Sequence, residues 1–282
     1  MSKRTDLAIE LEENISGEAS GIIKKAKKTN EISVSTIEII SDSTAQKLGK
    51  EKGKYITVEF PSVDRIDSFE DIKNEIILSL KELIPDGAEK ILVIGLGNDE
   101  ITADSIGPKT AAKLLATRHI AGEFAENIGL SGLHSTSVLV PNVLGKTGIE
   151  VSEITEGIIS KTKPQAVIVI DALASMSINR LFKTIQLSNT GISPGSGVKN
   201  SRKELSEKTL GVPVIAVGVP TVVDALTLAF EITENIPKND TDMIVTPKDA
   251  DILCQKLSEI LSEAINLFLQ PKIAPEILFS LV

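Results

Sequence analysis

The stretch KILVIGLGNDEITADSIGPKTAAKLLAT, Lys90–Thr117, decides the fold. Its apolar run, Ile91 to Ile94, predicts a buried strand. Gly95, Gly97 and Asn98 end that strand in a sharp turn that suits only residues tolerant of unusual backbone angles. A helix is expected next, over about Ser105 to Ala116, with Asp104 where loop becomes helix. A carboxylate in that place lies at the carboxyl end of a strand, where open α/β sheets build their sites. AVIVIDALASMS, Ala166–Ser177, repeats the design and is expected to deliver Asp171 at the carboxyl end of its strand. If the two strands are neighbours in one parallel sheet, both carboxylates face one cleft.

Working outward, the same alternation recurs. Glu31 to Ile40 and Tyr55 to Phe60 read as strands that extend the sheet in antiparallel fashion, with Lys50 to Lys54 a basic turn between them. Phe69 to Leu83 has helical spacing and is stopped by Pro85-Asp86-Gly87. Thr136 to Val140 reads as a strand, Gly148 to Thr162 as a helix, and Lys183 to Leu187 as an outlying strand. Ser188 to Arg202 is a long turn-rich loop, and a loop of that length is usually functional. Val212 to Gly218 is a further buried strand, with Pro220 expected to open a helix over Thr221 to Asn235. Met243 to Val245 reads as a short strand, Pro247 to Leu269 as an amphipathic helix, and the apolar tail 271–282 as a packing segment. Strands alternating with helices predict an α/β fold: a mainly parallel sheet with helices on both faces, plus an N-terminal antiparallel extension. The 282 residues read as a single α/β domain, with 31–84 extending the sheet and 85–270 its core.

Composition narrows the function. Aromatic residues are only 3%, so the core is aliphatic and stacking platforms for bases or sugars are scarce. A net charge of −9 argues against nonspecific nucleic-acid binding and suits a basic partner. The lone Cys254 excludes internal disulfides and cysteine-rich metal sites. No apolar run reaches the ~18 residues of a membrane span, and the N-terminus lacks a signal-peptide core. The cytoplasm is the expected location.

Asp104 and Asp171 are the leading chemical pair. Two close carboxylates can divide labour, one ionised and acting on water, one protonated and acting as acid. The competing reading makes both of them caps of local turns. Gly95-Leu96-Gly97-Asn98 is not a dinucleotide fingerprint, because Glu100 stands where the third glycine is needed. Ser196 lacks the order of a nucleophile elbow, and neither His119 nor His134 falls near it in the pattern. Cys254 reads as a small core residue. Asn98, Ser196, Thr221 and Asp224 come from loops or helix starts at the same sheet edge, and are expected to line the cleft.

At these residues the chain resembles the germination protease (spore endopeptidase) family. The resemblance is carried by RTDLAIE at Arg4–Glu10, YITVE at Tyr55–Glu59 and GLGNDEITADSIGPKT at Gly95–Thr110. TGIEVSEITEGII at Thr147–Ile159, VIDALASMSINR at Val169–Arg180, the long block Ile185–Ala225 and MIVTPKDAD at Met243–Asp251 extend it. Where the family often has Trp-Asn after the GLGN turn, this chain has Asp99-Glu100. The resemblance implies an unusual aspartic-type endopeptidase that degrades small acid-soluble spore proteins in the cytoplasm of the germinating spore. It implies a zymogen, a homotetramer, Asp104 and Asp171 as the catalytic aspartates, and no cofactor or metal. Neither nucleic acid nor membrane is an expected partner.

A similar turn and a later Asp-Ala-Leu occur in hydrogenase maturation endopeptidases, which use two acids and a histidine on a metal. Asp104 and Asp171 match the acids, but neither histidine falls where the third ligand is expected. A non-catalytic protein that binds basic spore proteins is the other alternative. Finally, Asp6-Leu7-Ala8-Ile9-Glu10 follows the order of the family's substrate motif. Self-processing is therefore expected at Asp6–Leu7, releasing a prosegment of residues 1–6 that extends into the cleft unheld by any regular element; the competing reading makes Asp6 a plain cap before a short helix.

Overall fold

The computed structural model describes residues 5–14, 20–63, 66–120, 123–127, 130, 132–195, 202–233 and 243–281. Nine strands form one sheet: β1 Ile22–Thr29, β2 Ile32–Ile39, β3 Gly53–Glu59, β4 Lys90–Gly95, β5 Ser135–Leu139, β6 Ala166–Ser175, β7 Thr184–Ser188, β8 Val214–Asp224 and β9 Ile244–Val245. Their order is β1-β2-β3-β7-β8-β6-β4-β5, with β9 paired to β8. Strands β8, β6, β4 and β5 run parallel, and the β1-β2-β3-β7 side joins β8 antiparallel. The helices are α1 Ala8–Glu13, α2 Asp42–Leu48, α3 Ile66–Leu83, α4 Ile106–Ala111, α5 Glu123–Asn127, α6 Leu144–Thr147, α7 Val151–Thr162, α8 Glu207–Leu210, α9 Ala225–Thr233, α10 Ala250–Leu269 and α11 Pro275–Ser280.

The central strands are buried on both faces, which is why they read as continuous apolar runs. Ile91, Val93, Ile168, Ile170, Ile215 and Val217 point into one cluster with Ile72, Ile76 and Leu80 of α3 and Leu257, Ile260 and Leu261 of α10. The alternate residues Leu92, Ile94, Val167, Val169 and Val214 pack with Val151 of α7 and Leu210 of α8 on the opposite face. A third cluster joins Leu7, Ala8 and Ile9 to Ile37, Ile39, Leu48, Tyr55 and Leu173.

Several expectations are corrected. Strand β6 does not end at Asp171 but runs to Ser175, because β8 pairs with it through Val223. Pro220 opens no helix: it lies inside β8, opposite Leu173 and just before a shift of register. Proline is tolerated beside such an irregularity, where the ladder needs no N–H from it. Helix α9 starts only at Ala225. Strand β7 is not outlying; it sits between β3 and β8. The expected helix 148–162 is α7, which starts only at Val151, and Gly148, at φ 70°, instead ends the short preceding helix α6. The lysine-rich β1 was not anticipated, and neither was α2, although Ser41 caps its start and the left-handed Gly49 ends it. The segment 5–14 is held after all: α1 forms from Ala8, and Leu7 and Ala8 are buried.

Candidate active site

Strands β4 and β6 are parallel neighbours, with Gly95 opposite Ile170. The chain leaves β4 at Leu96, whose N–H donates to the Ile170 carbonyl. It turns through Gly97 at φ 114° and reaches Asp104 in the 3-10 turn Thr102–Asp104. A Cβ on Gly97 would lie 2.0 Å from the Asp104 carbonyl oxygen, so glycine there is required by close approach as well as by backbone angle. The Asn98 N–H donates to Asp104 Oδ2 at 2.8 Å. Asp171 follows Ile170 directly, is 6% exposed, and its Oδ1 accepts from the Ala172 N–H at 2.9 Å. Both carboxylates line a cleft of about 230 Å³ with Gly97, Leu173, Thr221 and Arg202.

The two acids are in different electrostatic states. Burial, reinforced by the Asp104 carboxylate, holds Asp171 well above the ordinary carboxylate range. Burial also raises Asp104, but the Asn98 N–H and the Arg202 charge oppose it. Asp171 is thus the more easily protonated of the two, and Asp104 the one that more readily ionises. Arg202, not singled out from the sequence, is the cation that faces the pair.

The other expected residues divide. Asn98 is buried, and its Oδ1 accepts from the Glu100 N–H, shaping the turn rather than reaching the cleft. The Thr221 hydroxyl donates to the Ala103 carbonyl at 2.6 Å and so fixes the turn beside Asp104. Asp224 Oδ1 accepts from the N–H groups of Leu226 and Thr227, capping α9. Ser196 lies outside the described residues. The Cys254 thiol, pushed up by burial, donates to the Thr102 carbonyl. His134 precedes β5, and His119 follows Thr117 and Arg118, whose N–H groups donate to the Thr136 carbonyl near the start of β5, so both lie by the opening end of the edge strand, away from the aspartates. Glu100 forms an ion pair with Lys146 at 2.6 Å.

The N-terminal segment occupies the site. Strand β4 stops opposite Ile170 while β6 continues, and Ala174 spends its backbone groups on Asp6. The Asp6 N–H donates to the Ala174 carbonyl, and the Ala174 N–H donates to Asp6 Oδ2, each at 2.9 Å. Asp6 lines both the aspartate cleft and an adjoining cavity of about 610 Å³ that Asp171 also borders. Leu7 is fully buried. Glu10 anchors the segment, accepting from the Ser175 hydroxyl, the Met176 N–H, Arg180 and the Thr5 hydroxyl. Lys50, read from the sequence only as the start of a basic turn, and Gln186, within the expected strand Lys183 to Leu187, donate to the Asp6 carbonyl at 2.8 and 3.1 Å.

Among the described residues no three histidine, cysteine, aspartate or glutamate side chains are grouped to hold a metal ion, and no helix is long and apolar enough to cross a membrane.

A family model described as germination protease matches residues 3–239. The germination protease of Clostridium acetobutylicum is 39% identical, over 96% of each chain. That of Clostridium tetani is 39% identical over 98% of each. That of Priestia megaterium is 41% identical, over 84% of this chain and 68% of its own. Among solved structures, the [NiFe] hydrogenase maturation protease HycI from Thermococcus kodakarensis aligns with 66% of this chain and 98% of its own. Its 15% identity and TM-score of 0.39 carry no argument. The near-full-length matches, 38% identical in Clostridium perfringens and 39% in Clostridium tetani, leave one assignment: the chain belongs to the germination protease family and is a peptidase.

Proposed function

We propose that the chain is an aspartic-type endopeptidase of spore germination that degrades small acid-soluble spore proteins. It is made as a zymogen that removes its own residues 1–6. Asp104 takes a proton from the attacking water, and Asp171 supplies one to the departing amide nitrogen. The observation that carries this reading is the desolvated carboxylate pair on neighbouring parallel strands, with burial raising the pKa of the more buried member further. The residue before the scissile bond is acidic, and Arg202 together with the Ala174 N–H suits a carboxylate there. The residue after it is apolar, and Leu7 is fully buried. The enzyme is further proposed to act in the spore cytoplasm as a homotetramer.

The test is cleavage of a purified basic spore protein, together with intact-mass measurement of the chain itself after incubation near pH 5.5. Asp104→Asn and Asp171→Asn should each stop both reactions while remaining folded. Ser196→Ala and Cys254→Ala should keep them. A folded, fully active form of either aspartate variant overturns the mechanism. Failure of wild type to lose residues 1–6 overturns self-processing.

A further inference from the structure

The carbonyl of the proposed scissile bond is already gripped, and its grip is made of side chains outside the aspartate pair. We infer that Lys50 and Gln186 form the oxyanion-binding pair of this peptidase, a role that rests on the cleavage at Asp6–Leu7 proposed above. The Asp6 carbonyl oxygen accepts from Lys50 Nζ at 2.8 Å and from Gln186 Nε2 at 3.1 Å. Gln186 also reaches past the bond: its Oε1 accepts from the Ala8 N–H at 2.7 Å. One amide group therefore spans the bond, holding the carbonyl before it and the second N–H after it.

The fold builds this arrangement from the sheet upward. Asp171 of β6 is opposite Gly218 of β8, and Gly218 is opposite Gln186 of β7. The three residues form one row across adjacent strands, so Asp171 and Gln186 project from the same face about 10 Å apart, two strand spacings. Between them stands Gly218, and the Leu173 side chain fills the space that a Cβ there would take. Lys50 comes from the other side. The left-handed Gly49 ends α2, the Lys50 N–H closes on the Ala45 carbonyl, and the Tyr55 hydroxyl donates to the Glu51 carbonyl at 2.9 Å. The Lys50 turn is thus tied at both ends. Burial drives the Lys50 ammonium toward its neutral form, opposed by the Asp6 carboxylate. A desolvated cation held against a carbonyl stabilises charge that develops there far more than a solvated one does.

The pair completes the bond-breaking step. Water attacks the Asp6 carbonyl carbon and gives its proton to Asp104. The carbonyl π electrons move onto the oxygen, where Lys50 and Gln186 hold the negative charge. That charge then re-forms the C=O as the bond to Leu7 nitrogen breaks, and the nitrogen takes the proton from Asp171. Because the oxygen has its own donors, the Asp171 proton is left for the amine.

The experiment follows the first-order loss of residues 1–6 in the full-length chain by intact mass. In the same samples it follows hydrogen exchange at the Ala8 and Asp6 amides. Lys50→Met should slow cleavage about a hundredfold or more, the cost of losing one oxyanion donor, with exchange protection of Asp6 unchanged. Lys50→Arg should recover at least tenfold of that loss. Gln186→Leu should slow cleavage and also raise exchange at Ala8 at least tenfold. Cleavage by Lys50→Met within threefold of wild type overturns the assignment, as does a slowing matched by equal loss of Asp6 protection, which would make Lys50 a mere anchor. If Lys50→Met does not fold, Gln186→Leu decides by the same rate criterion. Wild type that never cleaves overturns the self-processing reading and the assignment with it, whereas wild type that cleaves beside an unimpaired Lys50→Met overturns the assignment alone.

Discussion

Asp171 illustrates how a residue proposed for chemistry can carry a cost to stability. Its ionised form is disfavoured by burial and by Asp104, so its pKa is raised on folding. The folded chain therefore binds a proton that the unfolded chain releases, and stability falls as pH rises above the ordinary carboxylate value of about 3.9. Asp171→Asn removes that cost and keeps an oxygen for the Ala172 N–H. The variant should be more stable than wild type at pH 7.5, by a few degrees in Tm, and the difference should close toward pH 4. A calorimetric series in pH checks this, and a pH-independent difference would contradict the raised pKa. Gly97 makes the opposite case. Gly97→Ala would put a methyl group against the Asp104 carbonyl in a backbone conformation that suits glycine. It should cost about 1–3 kcal/mol in stability and more than a hundredfold in cleavage rate. Denaturant unfolding and the intact-mass assay would measure the two effects.

Among elements, α1 shows most clearly what a sequence conceals. Six residues cannot sustain a helix alone in water, so the sequence offers this helix only as the competing reading of Asp6 as a cap, and the observed N-cap is Leu7, with no side-chain cap bond. Its order comes from distant partners. Arg180 bonds Glu59 at 2.9 Å and Glu13 at 2.8 and 3.0 Å, and also reaches the buried Glu10. Arg180→Ala should loosen the segment by about 1–3 kcal/mol, seen as roughly ten- to hundredfold faster amide exchange over Ala8–Glu13. Unchanged exchange would show that Leu7 and Ser175 suffice. By contrast, β4 and β6 were legible because strands buried on both faces must be apolar throughout, and their acids stand out against that background. The ends of β6 and β8 were not legible. Pro220 and the polar residues after Asp171 look like terminators, yet cross-strand pairing of Ala172–Ser175 with Val219–Val223 overrides those local signals. Lys50 and Gln186 were hidden for a related reason. A lysine in a basic turn and a glutamine in a short strand carry no pattern, and only the sheet register and the α2 cap bring them to one carbonyl.

At the scale of the whole molecule, the C-terminal tail is the surface on which the proposed homotetramer can be tested. Helix α11 does dock, since Leu278 is fully buried, but it turns Ile277, Phe279 and Leu281 outward at 49, 39 and 44% exposure. On a body of net charge −9, like-charge repulsion opposes association, so apolar contact has to supply the attraction. A stable homo-oligomer interface buries about 1,200–2,000 Å² in total, more than three side chains provide, so the tail would be one part of a wider contact. Charging that part should still weaken the whole, because each buried carboxylate would lack a partner. Ile277→Asp with Phe279→Asp should therefore leave circular dichroism unchanged while lowering the assembled mass. Light scattering at micromolar concentration should give about four times the 30.1 kDa chain mass for wild type and a smaller species for the variant. A monomeric wild type would refute the tetramer, and an undiminished variant would move the interface away from α11.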